Sequence, residues 1–219
     1  HGRREMLEWC DKAYDYVQQI DKEFSDWLCV PRSKRTTSIK PSGTVSLLNG
    51  STPGIHYPEA EYYIRRIRFS VGNAILKAIE DAGYHIEKDA YSPNTMVASF
   101  PVHEPFFQKG KNEATMWEQL EIAAAYQHYW ADNSVSVTVT FKGDEAKDIK
   151  TALEMYESRL KAVSFLRYQE TGYEQAPYEP ITKEQYEEMS KDIIPIQRIE
   201  TEVQGAGTVF CDGDSCEIA

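Results

Sequence analysis

The chain has 219 residues, of which 41% are hydrophobic and 12% aromatic, so it can bury a core and is not disordered throughout. Its formal net charge of -11 excludes the broad basic face that binding to duplex nucleic acid requires. No apolar run approaches the roughly 20 residues of a membrane-spanning helix, and four cysteines in a chain of this length favour a reducing cytoplasm over a disulfide scaffold.

Taken in chain order, the predicted elements alternate between helix and strand. The first is a helix over residues 5–28, whose apolar side chains recur every three or four positions: Trp9, Ala13, Val17, Ile20, Phe24 and Trp27. A short strand over 36–40 leads into a loop over 41–56 that is rich in Gly, Pro and hydroxyl residues. A long helix is then predicted over 62–82, and Gly83 ends it.

The second half of the chain continues the alternation. It contains a strand over 95–100, a helix over 115–131, a strand over 134–141, a helix over 145–161 and a short helix over 182–191. Valines alternate with Ser and Thr along 134–141, and a strand with one polar face does not suit a lone parallel sheet buried on both sides. The pattern therefore predicts an α/β protein that forms part of a larger sheet or barrel.

The loop after the strand at 36–40 is the first candidate for chemistry. It places hydroxyl side chains around Gly43, at Ser42, Thr44 and Ser46. Glycine allows the backbone to approach a ligand closely, and free N–H groups at the start of a helix attract phosphate. The segment is thus a candidate phosphate-binding loop, and the alternative is an ordinary capped turn, because Ser and Thr are common N-caps.

The second candidate is the cysteine pair near the end of the chain, Cys211 and Cys216, separated by Asp-Gly-Asp-Ser. A zinc site needs four ligands and no second Cys or His pair lies nearby, so no metal site is predicted. Two thiols on a flexible arm suit thiol–disulfide exchange, and the alternative is a pair of incidental surface thiols.

Several segments, taken together and in order, resemble adenosylcobalamin-dependent (class II) ribonucleotide reductases, and most closely the monomeric ribonucleoside-triphosphate reductases. They cover residues 39–56 (IKPSGTVSLLNGSTPGIH), 62–68 (YYIRRIR), 132–141 (DNSVSVTVTF), 161–166 (KAVSFL) and 173–180 (YEQAPYEP), followed by the terminal cysteine pair.

The resemblance implies the C-terminal part of a ten-stranded α/β barrel of the ribonucleotide reductase and glycyl-radical type. Residues 1–166 would belong to the barrel, 167–202 would form an irregular surface segment with a short helix, and 203–219 would form a flexible redox tail. The implied reaction is a thiyl-radical reduction of ribonucleotides, with triphosphates as the expected substrates and adenosylcobalamin as the cofactor.

The resemblance also assigns residues by position. The phosphate-binding residues would be Ser42, Gly43, Thr44, Val45 and Ser46, and the shuttle dithiol would be Cys211 and Cys216, renewed by thioredoxin or a similar dithiol donor. Gly54 and His56 are candidate contacts to cofactor or substrate.

One part of the family pattern has no counterpart in this sequence. The radical cysteine, its reducing pair and the Asn-x-Cys-x-Glu element are missing, and Cys10 and Cys29 lack that sequence context. The chain is therefore expected to be incompetent alone, as one product of a split gene or a fragment of a longer reductase. Because a partial barrel exposes strand edges and apolar faces, we expect it to pair with a part that carries the radical cysteine.

Three alternatives differ in class. A class I large subunit has a more polar phosphate loop, and Val45 with Leu47 and Leu48 favours class II. A non-catalytic nucleotide-binding module would not need the dithiol. A separate thiol oxidoreductase would need a C-x-x-C at a helix N-terminus.

Overall fold

The computed structural model describes residues 2–41, 46, 51–168 and 174–196. Its elements are α1 (Arg3–Leu28), β1 (Tyr62–Ser70), α2 (Ile75–Asp81), β2 (His85–Lys88), β3 (Thr95–His103), α3 (Met116–Tyr129), β4 (Thr138–Phe141), α4 (Ile149–Tyr156), β5 (Ser164–Arg167), β6 (Tyr178–Pro180) and α5 (Lys183–Ser190). The mixed α/β class predicted from the alternation is confirmed.

The strands form two sheets of different character. The first is antiparallel and has the order β2-β3-β1-β6. The second pairs β4 with β5 in parallel, and Ile39 extends it through a parallel bridge to Val135. The strand predicted over 36–40 is therefore reduced to this single bridge, beside the strand predicted over 134–141.

The main apolar core lies under the parallel sheet. Val135, Val137 and Val139 are buried there, as their alternation predicted, and they pack against α3 and α4. Thr140 is also buried, so the hydroxyl face of this strand is not uniformly exposed.

Two helices form where local sequence signals place them. At the start of α3, Thr115 accepts from the backbone N–H of Glu118, and the Glu118 carboxylate accepts from the backbone N–H of Thr115. Thr182 and Gln185 form the same reciprocal pair at the start of α5. Such capping boxes satisfy N–H groups that a helix leaves unpaired, which is why these N-termini are readable from sequence.

The predicted helix over 62–82 is wrong. Residues Tyr62–Ser70 form the central strand β1, which pairs with β3 along its whole length and with β6 at Tyr63, Ile64 and Arg65. Only Ile75–Asp81 is helical. Apolar spacing alone does not distinguish the two structures in this segment, and the aromatic and β-branched residues favour a strand once neighbouring strands pair with it.

Other elements also differ from the prediction. The strands β5 and β6 are absent from the predicted elements, and the strand predicted over 134–141 is β4 at Thr138–Phe141. The strand β2 was not predicted, and β3 continues through Pro101 to His103. Pro101 is tolerated because β2 pairs with β3 only at Met96–Ser99, which leaves a single neighbouring strand at the proline. The helix predicted over 145–161 is a 3-10 turn at Ala146–Asp148 followed by α4, which ends at Tyr156.

The helix α1 forms as its periodicity predicts, but its apolar face does not cover the core. The helix lies along α3 and is attached by polar contacts, which include Tyr14 Oη to Asp132 Oδ1 at 2.7 Å and Gln18 Nε2 to Thr36 Oγ1 at 2.6 Å. Phe24 and Trp27 are 51% and 76% exposed. Among the described residues, no helix is long and apolar enough to cross a membrane.

Candidate functional site

The edge of β4 that faces away from β5 is where the candidate loop returns to the sheet. The carbonyl of Val137, just before β4, accepts from Ser164 of β5, and the carbonyl of Phe141 accepts from Tyr168, just after β5. The intervening N–H groups point to the other edge and bind three different acceptors: the Ile39 carbonyl for Ser136, the His56 ring for Thr138, and the Gln119 side chain for Thr140.

His56 bridges the end of the loop and the strand. Its Nδ1 lies 2.8 Å from the Pro53 carbonyl, and its Nε2 lies 3.0 Å from the backbone N of Thr138. A carbonyl only accepts and an N–H only donates, so this geometry requires the neutral tautomer with the proton on Nδ1. His56 thereby continues the hydrogen-bonding edge of β4 beyond the bridge at Ile39.

Gly54 closes the base of the same loop. Its φ is +60°, and a Cβ at this position would lie 2.9 Å from the Lys40 carbonyl oxygen and 3.2 Å from that of Pro41. The two ends of the loop over 41–56 therefore approach more closely than any side chain at Gly54 permits.

Asp132 holds the segment that enters the loop. Its Oδ2 accepts from the backbone N and the hydroxyl of Thr36, each at 3.0 Å, and its Oδ1 accepts from Tyr14. The Thr36 backbone N–H, followed by the Tyr14 hydroxyl, holds the pKa of Asp132 below its usual value. Thr37 is tied to the same turn, because its carbonyl accepts from the backbone N of Asn133 at 3.1 Å.

A surface groove of about 540 Å³ opens beside the loop and has His56 in its wall. Its other walls include Tyr57, Phe107, Lys109 and Glu104. Burial raises the pKa of Tyr57. Glu104 is buried and accepts from Tyr63 Oη at 2.8 Å, so its carboxylate is already engaged on the protein side of the groove.

The arginines of β1 bind protein groups in the described structure. Arg65, Arg66 and Arg68 donate to the carbonyls of Pro177, Ala176 and Gln175 in turn. Arg66 and Arg68 also form ion pairs with Glu179 and Asp89. These side chains therefore hold the segment that leads into β6, and they lie on a strand rather than on the predicted helix.

The predicted site residues fall into two groups. Gly54 and His56 are described and lie together at the base of the loop. Ser46 is half-buried, and its carbonyl accepts from the backbone N of Ser51 at 3.1 Å. Ser42, Gly43, Thr44 and Val45, together with Cys211 and Cys216, lie outside the described residues, so their roles stay predictions.

Sequence reasoning missed Gln119 and Asp132 as parts of this site. Gln119 accepts from the Thr140 backbone N at 2.8 Å and donates to the Thr140 carbonyl at 2.7 Å, and so replaces a neighbouring strand. The sequence signal for Gln119 was its position as a polar residue among the buried Met116, Leu120 and Ala123 of α3.

The architecture around this site matches a known class of enzyme. A crystal structure described as a B12-dependent (class II) ribonucleotide reductase aligns with a TM-score of 0.79 and 34% identity, over 91% of this chain and 28% of that chain. No protein-family model matches the sequence.

Curated relatives agree with the structural match. The adenosylcobalamin-dependent ribonucleoside-triphosphate reductase of Euglena gracilis is 42% identical over 98% of this chain, and that of Lactobacillus acidophilus is 36% identical over 97%. The chain spans about 30% of the length of the curated relatives it matches. The resemblance read from the motifs is thus confirmed: the chain is homologous, along nearly all of its length, to one portion of the adenosylcobalamin-dependent ribonucleoside-triphosphate reductases.

Proposed function

We propose that this chain forms the C-terminal part of a class II ribonucleotide reductase that converts ribonucleoside triphosphates to deoxyribonucleotides. The observation that carries the proposal is the anchoring of the loop over 41–56 at the base of the parallel sheet. Gly54 meets the Lys40 carbonyl there, and His56 binds Thr138. Ligands of open α/β sheets bind at the carboxyl ends of parallel strands, which is where this loop leaves the segment at 36–40.

In this proposal, Ser42, Gly43, Thr44, Val45 and Ser46 hold the substrate phosphates. Their hydroxyls and backbone N–H groups can donate hydrogen bonds to phosphate without any basic side chain. Such a local site is therefore compatible with the net charge of -11 of the chain. Glycine at position 43 leaves the backbone accessible to a phosphate oxygen.

Cys211 and Cys216 are proposed as the shuttle dithiol. One thiolate attacks the active-site disulfide that each turnover leaves, forming a mixed disulfide and releasing one active-site thiol. The second cysteine then attacks the mixed disulfide, releases the other active-site thiol and leaves the pair at 211 and 216 oxidised. A thioredoxin-type dithiol donates the two electrons that restore it.

The cofactor proposed for the assembled enzyme is adenosylcobalamin, as the relatives' names state. The groove beside His56 offers one aromatic and apolar wall, in which Tyr57 and Phe107 are the side chains available for contact with such a group. When bound, the cofactor would supply the radical. The remaining walls would come from the part of the reductase outside this chain.

The parallel sheet supports a larger barrel. Among the described residues, β4 pairs only with β5, and the bridge from Ile39 to Val135 lies just before β4; two strands cannot close a barrel. An apolar groove of about 330 Å³ runs between α3, α4 and β5, and Leu166 on β5 is exposed. We infer that strands and helices of the remaining reductase part, which carries the radical cysteine, complete a ten-stranded barrel here. The proposed location is the cytoplasm, where free thiols stay reduced.

Reconstitution tests this function. The chain is co-expressed with the portion of the Euglena gracilis reductase that lies outside the match, and deoxyribonucleotide formation from ribonucleoside triphosphates is measured with and without adenosylcobalamin. Activity that depends on the cofactor is the expected result. Gly43→Val should raise the KM for the triphosphate, whereas Gly143→Val, at a position where a Cβ meets only the end of the Arg167 side chain at 3.5 Å, should not.

Two results would overturn the proposal. Activity that needs an iron- or manganese-bearing subunit instead of the cofactor would assign the chain to class I. A stable complex that binds triphosphate and forms no deoxyribonucleotide would indicate a non-catalytic nucleotide-binding module.

A further inference from the structure

The longest helix of the protein has an apolar face that the described residues leave uncovered. This α1 outer face consists of Ala13, Tyr16, Ile20, Phe24 and Trp27, which recur every three or four positions and so share one side of the helix. Ile20 is half-buried, and the other four side chains are exposed. Tyr16 is 63% exposed and Trp27 is 76% exposed. The Phe24 and Trp27 rings contact each other edge-on, with centroids 5.9 Å apart.

The opposite side of α1 makes the attachments to the protein. Tyr14, Gln18, Asp21 and Ser25 lie on that side; the first three bind Asp132, Thr36 and Ser33, and Ser25 is buried. Helices normally gain their stability by packing an apolar stripe, yet here polar contacts make a large part of the attachment, beside half-buried Leu7 and Cys10. An aromatic stripe on the far side indicates a second binding surface.

We propose that the α1 outer face docks the part of the reductase that lies outside this chain, and that the occupant offers an apolar groove with basic side chains along its rim. The inference rests on the proposed function, since it assigns the surface through which the reductase assembles. The matches to the Euglena gracilis and Lactobacillus acidophilus relatives cover 97% or more of this chain, α1 included, but only about 30% of their own length, so most of each of these relatives is available as the occupant.

Charge supports this occupant over two others. The helix carries seven Asp or Glu residues against four Lys or Arg, and exposed carboxylates such as Asp15 and Glu23 flank the outer face. A second copy of the chain would bring two acidic helices together. Residues 197–219 contain five Asp or Glu and one Arg, so the end of this chain carries the same sign as α1. A basic rim on the remaining reductase part is complementary to the helix.

The test compares two tyrosines of equal exposure. Tyr16, on the outer face, and Tyr91, on the loop between β2 and β3, are each 63% exposed. The full chain carrying Tyr16→Ser or Tyr91→Ser is titrated with the portion of the Euglena gracilis reductase outside the match, and the Kd is measured by biolayer interferometry. Because buried interface aromatics dominate binding, Tyr16→Ser should weaken binding about tenfold or more, and Tyr91→Ser should leave it within about twofold.

A second measurement follows the face directly. The fluorescence emission of Trp27 should shift to shorter wavelength on binding. The difference between the emission shifts of the unaltered chain and of Trp27→Phe gives the contribution of Trp27. Circular dichroism of each variant checks that α1 still forms. A shift that Trp27→Phe does not reduce would contradict docking at this face.

Other outcomes assign the face elsewhere. Equal effects of the two Ser variants, or no binding by the unaltered chain, would overturn the proposal. A dimer of the chain alone that Tyr16→Ser dissociates in sedimentation would also overturn it, because a second copy would then cover the face. Faster amide exchange of α1 after deletion of residues 197–219 would overturn it too, because that segment would then cover the face. Activity is assayed in the same samples: a complex that depends on Tyr16 but reduces no ribonucleotide would refute the proposed function and leave the docking face standing.

Discussion

The backbone N–H of Thr138 donates a hydrogen bond to Nε2 of His56, although the two residues lie 82 positions apart in sequence. The bond is 3.0 Å long and occupies the edge of β4 at the point where the neighbouring segment turns away into the loop over 41–56. The other ring nitrogen of His56 binds the Pro53 carbonyl. The chain's own backbone thus engages both nitrogens, so His56 holds the base of the loop against β4, and its contact to cofactor or substrate stays a prediction.

Replacing His56 tests this bridge. His56→Phe removes both hydrogen bonds, and the free energy of unfolding of the chain should fall by about 1 kcal/mol in urea denaturation. The Thr138 amide should also exchange faster with solvent, because its acceptor is gone. His56→Gln, whose amide oxygen can accept from Thr138, should recover part of the loss.

The matched control for this substitution is His85→Phe, at an exposed position of β2, where the ring lies 3.6 Å from the Glu87 carboxylate. It should leave stability nearly unchanged. If His56→Phe and His85→Phe lower the free energy of unfolding by the same amount, the hydrogen bonds of His56 do not stabilise the chain as the structure indicates.

Gly54 and Gly72 separate backbone strain from steric clash. Both have positive φ, but an added Cβ meets the Lys40 carbonyl oxygen at 2.9 Å in Gly54→Ala and nothing within 4 Å in Gly72→Ala. Both substitutions should destabilise, and Gly54→Ala should cost about 1 kcal/mol more because the ends of the loop must move apart. Thermal or urea unfolding measures the difference, and equal losses would show that the close approach is dispensable.

Glu118 makes stability depend on pH in the acid range. A hydrogen bond from Lys109, then one from the Thr115 backbone N–H, lowers the pKa of Glu118 from 4.5 to about 2. A lowered pKa in the folded state stabilises the protein above the unfolded value, and this contribution is lost as the pH falls from about 4.5 to about 2. Because the pair is partly exposed, Glu118→Gln should cost only about 0.5–1 kcal/mol at pH 7.

The free energies of unfolding of the original chain and of Glu118→Gln should therefore converge below pH 4.5 and become equal near pH 2. Urea denaturation at each pH measures both values. Glu154→Gln is the control, since its contact with Lys150 is 3.8 Å long and both side chains are highly exposed. A constant gap for Glu118→Gln across this range would contradict the assignment.

The terminal cysteines should matter only for the physiological reductant. In the reconstituted reductase, Cys211→Ser with Cys216→Ser should abolish turnover driven by thioredoxin and preserve turnover driven by a small dithiol, which can reach the active site itself. Steady-state rates with the two reductants make the comparison, and Cys29→Ser, at an exposed cysteine of α1's C-terminal cap, serves as the control. Equal loss with both reductants would refute a shuttle role.

Local signals determined several elements from the sequence alone. The capping boxes at Thr115 and Thr182 set the starts of α3 and α5, because their hydrogen bonds join residues only three positions apart. The alternation of Val135, Val137 and Val139 identified the buried face of the central parallel strand. The ordered motifs around the candidate loop also identified the family, which the relatives confirmed.

Contacts between distant residues decided the rest. Residues 62–70 form a strand because β3 and β6 pair with them, whereas the apolar spacing of that segment alone does not distinguish strand from helix. The stripe on α1 was visible in the sequence, but only the packed structure shows that it faces away from the core, since polar bonds from Tyr14 and Gln18 orient the helix. His56 and Gln119 acquired their partners in the same way, because unpaired backbone groups of β4 require acceptors and the fold brings these two side chains to them.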